Sequence, residues 1–375
     1  WEPRPIQPGG TQIALPDGRA LSPQEAALES PADELLYGGQ PAGGKSDLLL
    51  GAAITRHRVS AIFRRQRAQF EGPAGMIERS REIIGVRGHF ARNRWRDLPG
   101  SRAFEFCGCD HENDIDKYQG KGHDLKGFDE LTQFPKKFYT HLIGWARTRH
   151  HQRVRVISTA NPPRTDEGRW VVDYWAPWLD PTHPRPAQPG ELRWFVIDDG
   201  KDREVPGPVY GVDRPKPVKV RMVDGSEKWV KPRSRTFIPA SLKDNPDLAK
   251  SGYADVLDGM PGELQALAAG NFGATREDHP QQIIPVAWVL LAQQRWIPDG
   301  AGDEPLSQVG NDVSRGGQDE FVIAKRYGAW IAPLECHDAR KVPDGVIGAT
   351  LLAQSVGEAD VPVMIDVGGP GCAVF

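Results

Sequence analysis

The 375-residue chain carries 47 Lys and Arg against 50 Asp and Glu, a formal net charge of −3, and 39% of its residues are hydrophobic. That balance excludes a disordered chain and offers no global attraction to nucleic acid or an anionic membrane, while the length allows about two or three domains. Four cysteines, at 107, 109, 336 and 372, are too few to staple the chain and suit a reducing compartment; no apolar run approaches the roughly 18 residues of a membrane span, and no signal segment opens the sequence.

The sequence begins at Trp1 and stops at Phe375 directly after a strand-like run, which predicts a fragment of a longer protein. Residues 1–33, rich in Pro and Gly, read as an entry arm with one short helix, in which Ser22 caps and Pro23 takes the first helical position. From Glu34 the pattern becomes strand (Leu35-Leu36-Tyr37), glycine-rich turn, and an apolar helix from Asp47. Further apolar runs at Val59–Phe63, Ala103–Cys107, Leu125–Phe128 and Val154–Ser158, separated by long stretches, predict an α/β parallel sheet with helices on both faces. Two hairpin patterns, turning at Asp198-Asp-Gly and Asp224-Gly, predict an antiparallel insert around 190–235. Helical spacing runs from 246 to 296, with a break at Ile297-Pro-Asp-Gly, and a second strand-rich unit follows: Val309–Val313, Phe321–Tyr327, a helix at 344–356 and Val361–Val367. The expected domains are an arm at 1–33, a phosphate-loop domain at 34–280, a linker at 281–305 and a last domain at 306–375.

Gly39-Gln-Pro-Ala-Gly43-Gly44-Lys45-Ser46 fits the G-x-x-x-x-G-K-[ST] pattern in full and lies between a predicted strand and a predicted helix. Glycines let successive backbone N–H groups turn inward around a phosphate above a helix N-terminus; Lys45 would reach the outer phosphates and Ser46 would hold the metal. Such a site, binding ATP with Mg2+, also needs an acid on the metal and a carboxylate for the attacking water. Leu125-Lys-Gly-Phe128-Asp129-Glu130 supplies both, Asp129 for the metal and Glu130 for the nucleophile. Lys126 interrupts the apolar run, which predicts an edge or partly exposed strand.

Further on, Asp312 stands on a strand before Gly316-Gly317, and Asp366 ends a second strand. Strand, hairpin, strand, helix, strand is the start of a ribonuclease-H-like fold, in which acids on adjacent strands hold two Mg2+ or Mn2+ ions. Asp319 reads as a hairpin residue rather than a supporting acid.

Gly38-Gly-Gln-Pro-Ala-Gly-Gly-Lys-Ser with Leu48-Leu-Leu, Ile62-Phe-Arg-Arg, Tyr118-Gln-Gly, Gly127-Phe-Asp-Glu-Leu-Thr-Gln-Phe134, Ser158-Thr-Ala-Asn-Pro-Pro163, Glu167-Gly-Arg-Trp170 and Ala176-Pro-Trp-Leu-Asp180, in this order, resemble the large terminase subunit of tailed bacteriophages and prophages. The resemblance runs over nearly the whole chain. It implies a motor in which ATP hydrolysis moves viral double-stranded DNA into a procapsid, joined to a metal-dependent endonuclease that cuts concatemers. It also implies a nucleotide-sensing role for Ser158, Thr159 and Asn161, and a third nuclease acid beyond residue 375. The implied partners are a portal protein, a small terminase subunit and further copies in a ring, commonly pentameric; the implied place is the host bacterial cytoplasm, at the procapsid portal vertex during packaging. Two other readings stay open: a helicase or repair ATPase with an appended nuclease fold, and a nuclease-defective prophage remnant.

Many members carry an arginine inside the phosphate loop, where this chain has Gln40-Pro41-Ala42. Arg64 or Arg65 in cis, or a neighbouring subunit in trans, would replace it; Arg64 and Arg65 read equally well as solvated or DNA-facing charges. From Arg56 to Arg102 there are twelve arginines, no lysine and four acids, the density a DNA-tracking surface would use, or a solvated face. Cys107-Gly-Cys109-Asp-His111 lacks zinc-ligand spacing, and alternation on a strand turns 107, 109 and 111 to one face, where packing accounts for them.

Overall fold

The computed structural model describes residues 1–73, 75–259, 265, 268–272, 284, 286–298, 300–314 and 320–366. The chain divides into two units, Trp1–His279 and Pro280–Phe375.

In the first unit, ten strands among the described residues form one sheet. Its centre is six parallel strands: β1 (Glu34–Gly39), β2 (Val59–Arg64), β3 (Arg102–Gly108), β4 (Leu125–Phe128), β5 (Arg155–Ala160) and β6 (Arg233–Ala240), in the order β6-β1-β5-β4-β2-β3. Every residue of β1, β4 and β5 is buried, as expected for parallel strands covered on both faces. Antiparallel strands extend both edges. Arg94–Leu98 and His89–Ala91 lie beyond β3, and the predicted insert supplies Arg193–Asp198 and Lys201–Val205 beyond β6. The turn between the last two uses Asp199 and Gly200, both at positive φ, as a tight hairpin requires. The second predicted hairpin forms between Val218–Arg221 and Glu227–Val230.

Helix α1 (Lys45–Thr55) follows β1, and its Leu48, Leu49, Leu50, Ala52 and Ala53 are all fully buried. A helix so apolar around its circumference belongs in the middle of a core, and α1 packs there with Leu35, Ile62, Leu125 and Ile157. The helix predicted after Ser22 spans Pro23–Glu29, with a reciprocal Ser22–Glu25 capping box and Pro23 in its first turn. A second core, on the far side of β4, is aromatic. Phe63, Phe128, Phe134, Phe138 and Tyr139 gather there with α2 (Lys136–Ile143), Trp175 and Phe237, and the Phe63 and Phe128 rings stack 5.2 Å apart. Cys107 and Cys109 are buried in this cluster as small apolar side chains.

The second unit has its own core of Val309, Val313, Phe321, Ile323, Val342 and Leu352. Strand β7 (Leu306–Asp312) pairs antiparallel with β8 (Glu320–Tyr327) and parallel with β10 (Val363–Ile365), and β9 (Glu335–Asp338) pairs antiparallel with β8. Helix α3 (Gly345–Val356) joins β9 to β10 and starts on the Asp344 cap. Asp319 and the Gly-Gly pair before it lie outside the described residues, as do Cys372 and Val367.

The expectation from Lys126 is overturned. Strand β4 lies inside the sheet, between β5 and β2, and Lys126 is fully buried. The sheet accommodates its ammonium with specific partners: Nζ lies 3.1 Å from His123 Nδ1 and over the Phe63 ring, and His123 Nε2 is 2.9 Å from Glu105 Oε1. Burial lowers the Lys126 pKa to about 8. The folded state therefore binds fewer protons than the unfolded state from about pH 8 to 10, so this group makes folding more favourable as pH rises through that window. We expect the stability difference between wild type and Lys126→Met to move in favour of wild type by about 2 kcal/mol from about pH 7.5 to 9.5, measured by urea denaturation at both pH values. A difference that does not change with pH would contradict it.

Candidate functional site

All six central strands point the same way, so their carboxyl ends open on one edge of the sheet, where α/β proteins place ligands. Gly39 ends β1 at φ 133°, Ala42 sits at φ 64°, and Gly44 caps α1 at φ 74° with no side-chain cap bond. The first-turn N–H groups of α1 are thus left without a side-chain cap, in the geometry that receives an anion. Side chains fix the loop from outside. The Tyr37 hydroxyl donates to Gly43 O (3.1 Å), Asn245 Nδ2 to Ala42 O (2.8 Å), and Leu242 N to Gln40 Oε1 (2.9 Å). A Cβ on Gly39 would stand 2.6 Å from Ala240 O, so only glycine lets the loop lie against the end of β6.

Lys45 is 7% exposed, and its Nζ donates to Gln40 O across the loop at 2.5 Å. Burial lowers its pKa, while the charges of Glu130 and Asp129 oppose that shift. Asp129, 1% exposed directly after β4, is where the elements meet. Its Oδ1 accepts from Thr159 Oγ1 on β5 (2.6 Å). Its Oδ2 accepts from Ser46 Oγ on α1 (3.3 Å), from Arg64 Nε at the end of β2 (2.8 Å), and from Arg64 Nη2.

Glu130 adopts the left-handed conformation, φ 57° and ψ 53°, which few non-glycine residues do. Asn161 Nδ2 donates to both of its carboxylate oxygens at 3.1 Å, and Thr132 Oγ1 donates to Asn161 O. Burial first, and the Asp129 charge second, raise the Glu130 pKa above the ordinary range, against Lys45, Arg64 and Asn161, which lower it. The structure therefore brings together Gly39, Gly43, Gly44, Lys45, Ser46, Asp129, Glu130 and Asn161 from separate segments. Beside them opens a cleft of about 890 Å³ whose lining includes Pro41, Arg64, Glu130, Asn161, Arg164 and Tyr253. Ser46 Oγ and Asp129 Oδ2, a hydroxyl and a carboxylate in contact at the foot of the phosphate loop, are the hard oxygen donors magnesium prefers.

Sequence reasoning misses the loop braces Tyr37 and Asn245, and also Arg164, which follows the Asn161-Pro-Pro turn into the cleft. Proximity to that turn is the available signal for Arg164; nothing local marks the other two. Arg64 and Arg65 differ. Arg65 donates to Cys109 O and lies over the Phe138 ring, whereas Arg64 contacts Asp129 and lines the cleft.

In the second unit the β7–β10 register ends at Asn311↔Ile365, and Asp366 N donates to Asn311 O at 3.1 Å. Asp312 and Asp366 therefore stand side by side, one residue past that pair, both exposed. Among the described residues no group of three or more His, Cys, Asp or Glu is arranged to hold a metal, and no helix is long and apolar enough to cross a membrane.

The structure is similar to crystal structures of the large terminase from a thermophilic bacteriophage. One matches at 13% identity and a TM-score of 0.45, covering 92% of this chain and 77% of that one; another, in complex with ADP, matches at 13% identity and 0.43, covering 90% and 74%. The HK97 bacteriophage large terminase matches at 14% identity and 0.40, covering 88% and 70%. No curated protein matches the chain. The family model described as "Terminase large subunit, T4likevirus-type, N-terminal" matches residues 45–256, more than half of the sequence and the span from the phosphate-loop lysine past the end of β6. The chain belongs to the terminase large-subunit family.

Proposed function

We propose that the first unit is the ATP-hydrolysing motor of a DNA-packaging terminase. The observation that carries this reading is the convergence of Lys45, Ser46, Asp129, Glu130 and Asn161, from three segments, on one edge of a parallel sheet. The N–H groups of the 40–46 loop and Lys45 bind the phosphates of ATP, with Gly39, Gly43 and Gly44 giving the loop its close approach. Ser46 and Asp129 would hold Mg2+, which would supply neutralisation of the charge developing on the phosphates. Glu130 accepts the proton of the attacking water, and Asn161 fixes the direction of the Glu130 carboxylate, so that strand β5 senses what occupies the cleft.

The motor spans 34–280 in this reading, with 1–33 as an arm and 281–305 as a linker. The arginines between 56 and 102 that do not serve the site supply contacts to the DNA backbone, which are independent of sequence. The work is translocation of viral double-stranded DNA through a portal protein into a procapsid, in the host cytoplasm, by a ring of copies served by a small subunit. Residues 306–375 belong to a ribonuclease-H-like nuclease, whose Asp312 and Asp366 are suited by their adjacent strand ends to hold Mg2+ or Mn2+ for cutting concatemers.

Lys45→Ala and Glu130→Gln are each expected to lower ATP turnover by about 10²-fold or more, read as phosphate release with and without double-stranded DNA. DNA-stimulated turnover persisting in either would reject the site. In the full-length protein, Asp312→Asn is expected to abolish Mn2+-dependent nicking of plasmid DNA while leaving ATP turnover unchanged; loss of both activities would argue against two independent sites.

A further inference from the structure

Residues 214–233 carry seven Lys and Arg against two acids, Asp224 and Glu227. Their centre is the two-stranded ribbon of Val218–Arg221 and Glu227–Val230, whose register sets Lys219 opposite Trp229 and Arg221 opposite Glu227. Residues paired across an antiparallel ribbon share a face, and here the two faces differ. Val218, Val220 and Val230 pack inward with Trp194, Val196 and Val205 of the neighbouring hairpin. The backbone is tied there as well: Arg221 N donates to Asp198 Oδ1 and Asp199 N to Arg221 O, both at 2.7 Å. The other face meets solvent, with Lys219, Arg221 and Glu227 exposed and Trp229 67% exposed. Both acids are engaged within the ribbon. Asp224 Oδ1 accepts from Ser226 N (2.9 Å) and Ser226 Oγ (2.6 Å), and Glu227 pairs with Lys219. Arg214 and Arg233 are held by Asp33 and Glu34, whereas Lys216, Arg221, Lys228 and Lys231 are exposed and pair with no acid among the described residues.

We propose that the outer face of this ribbon binds unpaired DNA, with Lys216, Arg221, Lys228 and Lys231 on the phosphates and the Trp229 indole stacked on a base. A docking face for an acidic protein would gather its apolar side chains at the centre and its charges at the rim; here a single indole stands among cations. Contacts to the backbone of a duplex call for cations alone, because the bases of a duplex stack on one another. Only an unpaired strand offers a base face to an exposed aromatic ring, and cations beside an aromatic platform are the combination that holds such a strand. The neighbouring hairpin fixes the ribbon from behind, so the face is presented as a rigid surface. This inference rests on the DNA-packaging reading above for the presence of DNA, and on the ribbon itself for the form of DNA that is bound.

The test compares the whole chain with Trp229→Ala, with Trp229→Phe, and with a quadruple variant that combines Lys216→Gln, Arg221→Gln, Lys228→Gln and Lys231→Gln. Thermal melts check that all are folded. Binding is read by fluorescence anisotropy of a labelled single-stranded oligonucleotide and of a blunt duplex of the same sequence, over a range of salt. Trp229→Ala is expected to weaken single-strand binding by about tenfold and to leave duplex binding unchanged, and Trp229→Phe, which keeps an aromatic face, to recover most of the loss. The quadruple variant is expected to lower the slope of log affinity against log salt for the single strand by about 3. Unchanged single-strand binding in Trp229→Ala overturns the proposal, and so does a loss of equal size on strand and duplex, which a merely structural indole would produce. An unchanged salt slope overturns it as well and leaves the face to an acidic protein. Failure of the wild-type protein to hydrolyse MgATP would instead reject the motor reading and is seen separately from the binding of either oligonucleotide.

Discussion

Two anions and two cations, Asp129, Glu130, Lys45 and Arg64, are held at the carboxyl edge of the sheet with little access to water. They come from the start of α1, the end of β2 and the turn after β4, and each is tolerable there only because the others are present. A buried charge stripped of its partner costs about 3–5 kcal/mol, so the cluster keeps β2, β4 and the start of α1 in mutual register. Thr159 extends the same network to β5 through Asp129 Oδ1. The arrangement explains why the acid strand is separated from the phosphate-loop strand by β5: that spacing lets Thr159 reach Asp129 and Asn161 reach Glu130.

The aromatic core beneath is what holds those acids in place. Phe128, the residue before Asp129, meets Phe63 on β2, Phe134 on the following turn and Tyr139 on α2. Leu131 is fully buried, Thr132 bonds to Asn161 O, and the Trp170 indole donates to Phe134 O. In the string Phe128-Asp-Glu-Leu-Thr-Gln-Phe134 the polar residues face the cleft or its neighbours, and the apolar ones anchor the turn. This division of labour accounts for a motif much longer than its two charged residues. It also explains how Glu130 is kept in a left-handed conformation, since the turn is fixed by packing on one side and by Asn161 on the other.

Glu34 shows the same economy farther from the site. Its carboxylate is buried at the start of β1 and receives the hydroxyls of Tyr139 and Tyr174 and the guanidinium of Arg233. The phosphate-loop strand is thereby tied at one end to the aromatic core and at the other to the loop braces Tyr37 and Asn245. A rigid strand between two fixed ends is what a loop that must close on a phosphate requires.

The phosphate loop, the acids after β4 and the strand pattern are legible in the sequence because they are local: a glycine spacing, a short apolar run and the residues directly after it are set by backbone geometry and by what can be buried. The capping box at Ser22 and the hairpin at Asp199-Gly200 belong to the same class. Lys126 misleads for the complementary reason. A charge in an apolar run ordinarily marks an exposed strand, and only three-dimensional contact with His123, Glu105 and the Phe63 ring makes its burial possible. Likewise Arg64 and Arg65, adjacent and chemically identical in the sequence, are separated solely by direction, one turned to Asp129 and the other to Cys109 O. By itself, then, the order of residues determined which chemical groups are available and on which strand each one ends. Strand order, and with it which carboxylate meets which cation, was decided by the tertiary structure, because pairing across a sheet depends on long-range packing that local spacing does not encode.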